Sequence, residues 1–329
     1  MMKPQTDVAK SSNFFWWIFG SVSLALTLPY TIFSLIWQFK QSKLKNELAG
    51  KVVIITGASS GLGEALAHTF YMAGCKVILC ARRQEELERV RKDLLECHSC
   101  VPTHPPVVLP LDLSDLNAIP EKIQKILEIH DHVDILINNG GISVRSDIVS
   151  SSVDIDIKVM LVNYFGSVAM TKHVLPSMIK RKEGQIVFVS SVQGKFAIPN
   201  RSAYAASKHA MQAFSDSLRA EVHKDNVKVL IVSPSYINTA LSLNALTSTG
   251  RAHGMTDSET ASGMSPEKAS EDILKAVLMQ QKDVIIAPLF IRFVAKLRHL
   301  FPEIYFWAMQ KRAKKLAIKM ELDEANKKD

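Results

Sequence analysis

Short apolar runs rich in β-branched residues alternate along this 329-residue chain with stretches of helical periodicity. Runs suited to strands fall at Lys51–Thr56, Lys76–Ala81, Val107–Leu111, Val133–Asn138, Gln185–Ser190, Val227–Ser233 and Asp283–Ala287. Helical patterns occupy Leu62–Ala73, Glu85–Glu96, Pro120–His130, Ile155–Arg181, Ala203–Lys224 and Pro266–Gln281. Strands that are apolar at nearly every position suit a parallel sheet covered on both faces. The repeated strand–helix order predicts the α/β class, with a doubly wound parallel sheet of about seven strands. Leu241–Met264, rich in Ser, Thr, Gly and Ala, interrupts the pattern and reads as a long mobile loop over a substrate site.

With 47% hydrophobic and 22% charged residues the chain carries too much apolar surface for intrinsic disorder. Four cysteines in this length make no disulfide scaffold. Cys97-His98-Ser99-Cys100 has the spacing of half a zinc site, but the other two cysteines, Cys75 and Cys80, flank or lie on a strand, so no metal is expected. The net charge of +8 is unevenly spread. Residues 1–51 hold six Lys/Arg against two Asp/Glu, residues 52–291 hold 24 against 25, and residues 292–329 hold ten against five. A neutral middle with basic ends, and no charge block interleaved with aromatics, argues against nucleic acid as a partner.

From Phe14 to Trp37 no side chain is charged over 24 residues. As a helix that run would span roughly 36 Å, enough to cross a bilayer core of ~30 Å. Trp16, Trp17 and Trp37 lie near its ends, where indoles favour the interface. A retained transmembrane anchor is therefore expected, in preference to a cleaved signal peptide, whose apolar stretch is shorter. Lys40, Lys43, Lys45 and Lys51 follow the run and only Lys3 and Lys10 precede it, a slight tilt toward a cytosolic catalytic domain. The sequon Asn200-Arg201-Ser202 would suit the lumen, but a glycan there would crowd the site described next, and it reads as chance. The expected organisation is a flank at 1–13, the anchor at 14–37, a basic linker at 38–50, a catalytic domain at 51–290 and a basic aromatic extension at 291–329. In the last region, Leu289–Met309 mixes aromatic and basic residues as either an interfacial membrane contact or a helix packed at the substrate mouth.

The first strand ends in Thr56-Gly57-Ala58-Ser59-Ser60-Gly61-Leu62-Gly63 and runs into a helix. Glycines at 57, 61 and 63 let the backbone turn tightly and approach a pyrophosphate on the helix N-terminus. No Gly-Lys-Ser/Thr follows, so this is not a P-loop. At the end of the second strand stands Arg82-Arg83, with no acid between Lys76 and Arg83. An acid there would accept from a ribose 2′-hydroxyl, whereas Arg82, helped by Arg83, suits the 2′-phosphate of NADP(H). Asp112-Leu113 after the third strand is placed to border the adenine, or else the aspartate is a plain cap.

Tyr204 and Lys208 stand four residues apart on a helical stretch and face one side. A cation beside a phenol stabilises the phenolate and brings its titration toward a useful range. Ser191, at a strand end, is placed to hold a substrate oxygen beside Tyr204. Asn163, in a helical stretch, is placed to hold a water in a proton relay with Lys208.

In this order behind the glycine turn, Asn163, Ser191, Tyr204 and Lys208 resemble the catalytic tetrad of the short-chain dehydrogenase/reductases, over roughly residues 50–290. The resemblance implies a Rossmann-type fold and NADP(H)-linked oxidoreduction of a carbonyl or alcohol. It also implies that Asn139 and Gly140 of Asn138-Asn139-Gly140-Gly141 border the cofactor, and that Ile237 and Thr239 bind the nicotinamide carboxamide and a phosphate. Two positions depart from the family pattern: Gly140 stands for an alanine and Ser235 for a glycine. The stretches Leu175–Lys180 and Arg201–Ala210, with the anchor, resemble a membrane-bound branch. That branch implies reduction of lipid-like carbonyls (acyl- or alkyl-dihydroxyacetone phosphate, steroids or retinoids) in the endoplasmic reticulum or peroxisome. The family's usual dimer face would use Ile155–Arg181 and Ala203–Lys224. The competing reading, carried by the two departures, is a catalytically silent membrane scaffold on the same fold.

Overall fold

The computed structural model describes residues 47–101, 103–255 and 257–325. The expected anchor at 14–37, with its flank and most of the linker, lies outside the described residues. Among the described residues no helix is long and apolar enough to cross a membrane.

Seven strands form one wholly parallel sheet: β1 (Val52–Thr56), β2 (Lys76–Ala81), β3 (Val107–Pro110), β4 (Ile135–Asn138), β5 (Gly184–Val189), β6 (Val227–Pro234) and β7 (Asp283–Ile286). Their order is β3-β2-β1-β4-β5-β6-β7, so the chain winds outward from β1, then returns and winds outward from β4. The turn of direction opens a crevice beyond the carboxyl ends of β1 and β4, where such sheets hold ligands. All five residues of β1 are buried, and its alternation divides them between two cores. Val53 and Ile55 pack with α1 (Gly61–Met72), α2 (Gln84–Cys97) and α8 (Pro266–Leu278). Val52 and Ile54 face the other way, toward α3 (Ile119–His130), α5 (Gly166–Arg181) and α6 (Ser202–Glu221). Helices on both faces explain why the strands read as continuous apolar runs.

The strand and helix positions follow the sequence expectation to within two residues at most ends. The largest difference is Ile155–Arg181, expected as one helix. It is α4 (Val153–Met160), a π-helical turn (Leu161–Phe165) and α5, and Asn163 sits in the π turn. Such turns change the phase of a helix and gather at functional sites. The segment 241–264 is not a featureless loop. It carries α7 (Ser258–Ala261), and Leu246 bridges both Val144 and Ala252 while Met264 bridges Ile237. After β7 the chain continues as α9 (Leu289–Leu300) and α10 (Pro302–Ala325). Ile291, Val294, Ala295 and Tyr305 of these helices pack with Val192 and Phe196 beside the crevice. One face of the C-terminal extension is thus part of the core, the alternative the sequence left open.

Candidate active site

The crevice is stapled by Thr56. Its hydroxyl donates to the Ile137 carbonyl at 3.3 Å and accepts from the amides of Asn139 (3.0 Å) and Gly140 (2.9 Å). The Asn139 side chain returns the contact by donating to the Thr56 carbonyl at 2.9 Å. The ends of β1 and β4 are therefore locked together immediately beneath the glycine turn. In that turn Gly57 and Gly61 hold φ of +69° and +57°, conformations that side chains disfavour. A Cβ on Gly63 would stand 2.0 Å from the Gly57 carbonyl oxygen, so no larger residue fits there. Ser60 precedes α1 without capping it through its side chain, which leaves the first-turn amides facing the crevice.

The two departures from the family pattern have local explanations. A Cβ on Gly140 would lie 2.5 Å from Leu113 Cδ1, so Leu113 fills the space an alanine methyl would take. Ser235 is absent from the residues with positive φ and donates its amide to Ile286 at 2.9 Å, so its backbone does not need glycine.

Every residue expected in catalysis or cofactor binding lines one cavity of about 550 Å³, except Asn163, which is buried behind its wall. Arg82 and Arg83 are exposed at one end of the cavity. Arg83 Nη2 donates toward the Ser59 (3.2 Å) and Ser60 (3.4 Å) hydroxyls, drawing β2 and the glycine turn into one polar rim. Asp112 is no helix cap; its Oδ1 closes a turn by accepting from the Ser114 amide (2.9 Å) and hydroxyl (2.7 Å). Thr239 lies against Gly61 of the cradle, Ile237 runs beside Met264, and both line the cavity.

At the other end stand Ser191, Tyr204 and Lys208. Ser191 caps the short turn Val192–Gly194, its hydroxyl accepting from the Gln193 amide at 3.1 Å, and it also hydrogen-bonds the Tyr204 phenol. Lys208 Nζ donates to the Val189 carbonyl at 2.9 Å and lies 5.7 Å from the centre of the Tyr204 ring. Burial pushes the Lys208 ammonium down to about 8 and pushes the Tyr204 phenol up. The sequence assigned the cation beside the phenol to Lys208. In the structure the charges that oppose the burial of Tyr204 come from Arg201 and Arg145, and burial outweighs them. The phenol is consequently held in its protonated form.

Arg145 and Arg201 were not foreseen as site residues. Both converge on one oxygen of Asp257, Arg145 Nη2 at 2.6 Å and Arg201 Nη2 at 2.8 Å. Arg201 also lies over the Tyr236 ring, 5.6 Å from its centre. Burial works against the Asp257 carboxylate, but the two guanidiniums overcome it and hold its pKa below the usual range. This triad fastens the segment that carries α7 onto the loop after β4 and onto the start of α6. Its members are 56 and 112 residues apart, and no local pattern connects them.

Asn163 is a positioning residue here. Its Oδ1 accepts from the Ile142 amide at 2.8 Å, and its two amide hydrogens go to the Ile142 carbonyl (2.9 Å) and the Ser207 hydroxyl (3.0 Å). Ser207 in turn donates to the Tyr204 carbonyl at 2.8 Å. Both amide hydrogens of its side chain are therefore spent on joining the π turn, the loop after β4 and α6. Asn163→Ala would strand the part-buried amide and carbonyl of Ile142 and the buried Ser207 hydroxyl, and a loss of roughly 2–4 kcal/mol in urea-unfolding stability is expected. An unchanged midpoint would remove the clamp from this account.

The profile of the short chain dehydrogenase family matches residues 51–248. The chain is 62% identical over 306 residues to the dehydrogenase/reductase SDR family protein 7-like of Anopheles gambiae, covering 93% of this chain and 96% of that one. It is 46% identical over 285 residues to the dehydrogenase/reductase SDR family member 7B of Bos taurus, covering 86% and 88%. Among solved structures, a short chain dehydrogenase/reductase from Burkholderia phymatum in complex with NAD superposes with a TM-score of 0.70. It covers 78% of this chain and 96% of that one at 23% identity, a likeness of fold.

Proposed function

Since the chain belongs to the short-chain dehydrogenase/reductases, an oxidoreductase family that uses NAD(P)(H), we propose that it is an NADP(H)-dependent reductase of lipid-like carbonyls, anchored to a membrane through residues 14–37. The observation that carries the reading is the single cavity that joins Arg82 and Arg83 at one end to Tyr204, Ser191 and Lys208 at the other. The cradle fits a dinucleotide: Gly57 and Gly61 take positive φ and Gly63 packs too closely on Gly57 for a Cβ, so the tight turn brings the helix N-terminus to where a pyrophosphate would sit. Arg82 and Arg83 would meet the 2′-phosphate, Asp112 and Leu113 the adenine, Lys208 and Tyr204 the nicotinamide ribose, and Ile237 and Thr239 the carboxamide and a phosphate. When bound, the nicotinamide supplies a hydride to the substrate carbonyl carbon.

The protein's own groups handle the oxygen. The Ser191 hydroxyl holds the carbonyl oxygen, and the Tyr204 phenol, protonated by burial, gives its proton to that oxygen as charge develops there. Lys208, held by Val189, supports the phenolate left behind. Beyond Tyr204 the cavity is walled by Val192, Phe196, Ile198, Leu241 and Ile291, an apolar lining that supports a lipid-like substrate. Acyl- or alkyl-dihydroxyacetone phosphate, steroid and retinoid carbonyls are the classes to present, in membranes of the endoplasmic reticulum or peroxisome.

Coenzyme choice tests the basic rim. The protein should consume NADPH in preference to NADH with a panel of lipid ketones. Arg82→Asp combined with Arg83→Ser should lower kcat/KM for NADPH by about 10–100-fold while sparing NADH, the cost of one or two charge-assisted contacts. An unaltered ratio would clear both arginines of that role.

A further inference from the structure

The C-terminal helices present a second face that the core does not use. Leu289, Phe293, Lys296 and Leu300 recur at helical spacing along α9, opposite Ile291, Val294 and Ala295, which pack inward. Leu289 is 82% exposed, Phe290 70% and Leu300 68%. The elbow and the first turns of α10 continue the pattern with exposed Phe301, Ile304, Phe306 and Trp307. So many large apolar side chains in open water on one stretch of about twenty residues exceed the isolated exposure usual for a soluble surface. The charge around them has one sign. From Leu289 to Ile318 seven Lys/Arg accompany a single acid, Glu303. Lys311 Nζ lies 4.1 Å from the centre of the Trp307 ring, and Arg298 lies 5.3 Å from that of Phe306, so two of these cations rest on aromatic rings of the same face.

We propose that this face of α9 and the start of α10 docks on an anionic lipid surface, independently of the N-terminal run. Apolar side chains at headgroup depth, with lysines and an indole among them, are the composition of an interfacial helix. Each basic residue near an anionic leaflet adds about 1 kcal/mol. The placement has a consequence for the site. Ile291 on α9 and Arg312 on α10 line the cavity, and Arg312 is tied to Glu259 of α7 at 2.9 Å. The two helices that meet the lipid are therefore also part of the cavity wall, and docking sets the substrate entrance against the bilayer.

Trp307 reports on the docking without any assay of turnover. The full-length protein is reconstituted in phosphatidylcholine vesicles with and without phosphatidylserine, the acyl chains brominated, and its fluorescence compared with that of Trp307→Phe. The difference isolates Trp307 from Trp16, Trp17 and Trp37. Brominated lipid should quench this component, more strongly with phosphatidylserine present. Phe290→Glu with Phe293→Glu, both at exposed positions, should remove most of the quenching while leaving the thermal melt unchanged. Lys311→Glu with Lys314→Glu should abolish the phosphatidylserine dependence. A Trp307 component that aqueous iodide quenches and brominated lipid does not would overturn the proposal. So would shielding from both quenchers, which would mean a second copy if it rises with protein concentration and a segment of the same chain if it does not. Inactivity toward every ketone, with Trp307 quenched by lipid, would instead overturn the proposed substrate class alone.

Discussion

Tyr204→Phe should lower kcat for carbonyl reduction by about 10²–10⁴-fold, the range that one positioned proton donor supplies. The ring stays, and with it the packing of Tyr204 against Val144, Ile155, Val159 and Ala203, so the melting temperature should hold within a few degrees. NADPH affinity, read by quenching of protein fluorescence, should change little, because the phosphate cradle lies at the other end of the cavity. The phenol is buried beside Ser191 and burial pushes its titration upward, so it carries its proton at neutral pH next to the hydroxyl that holds the substrate oxygen. Retained turnover in the variant would mean that the proton comes from elsewhere, and the assignment of Tyr204 would fail. Loss of turnover together with loss of coenzyme affinity would instead place the phenol in the ribose site alone.

The parts of this site that local pattern encodes were readable from the chain. Glycines at 57, 61 and 63 announce a backbone that must turn left-handed and pass close to itself, and the structure gives positive φ at two of them and no room for a Cβ at the third. Tyr204 and Lys208 share a helix face because of their spacing, whatever surrounds them. Strand burial on both faces follows from β-branched runs too apolar for a half-exposed sheet. What could not be read was set by tertiary packing. The π turn at Asn163 is invisible to a 3.6-residue period, because an inserted residue in one turn leaves the apolar pattern on either side intact. Arg145, Arg201 and Asp257 come from three separated segments, and each alone looks like a solvated charge. The charges of the two arginines act on Tyr204 in addition to the Lys208 ammonium that the helical spacing set beside its ring. Gly140 and Ser235 looked like defects only in the absence of their surroundings. Leu113 and the ordinary backbone at Ser235 answer both, and with them goes the support for a silent scaffold.

Lys208→Met should both stop turnover and change how stability depends on pH. The folded protein releases the Lys208 proton near 8, whereas an unfolded chain keeps it to the ordinary value of 10.5. Below pH 8 both states carry the proton, and the full cost of burying the charge, roughly 3 kcal/mol for a shift of this size, weighs on the fold. Between about 8 and 10.5 the unfolded chain binds more protons than the folded one, so this group's contribution to stability rises with pH. The stability of the unaltered protein minus that of Lys208→Met should therefore increase by about 2.5 kcal/mol from pH 7 to pH 10. Taking the difference cancels the other lysines and the tyrosines that titrate in the same interval. The methionine also leaves the Val189 carbonyl without its donor, a fixed penalty that does not vary with pH. In the unaltered enzyme kcat/KM for reduction should fall as pH rises through about 8, because the cation that supports the phenolate is lost there. Chemical-unfolding curves at four or five pH values would measure the first effect and initial rates the second. A stability difference that stays flat would mean that Lys208 is solvated in solution and keeps its charge at no cost. The Val189 carbonyl would then no longer be what holds the ammonium at the base of Tyr204.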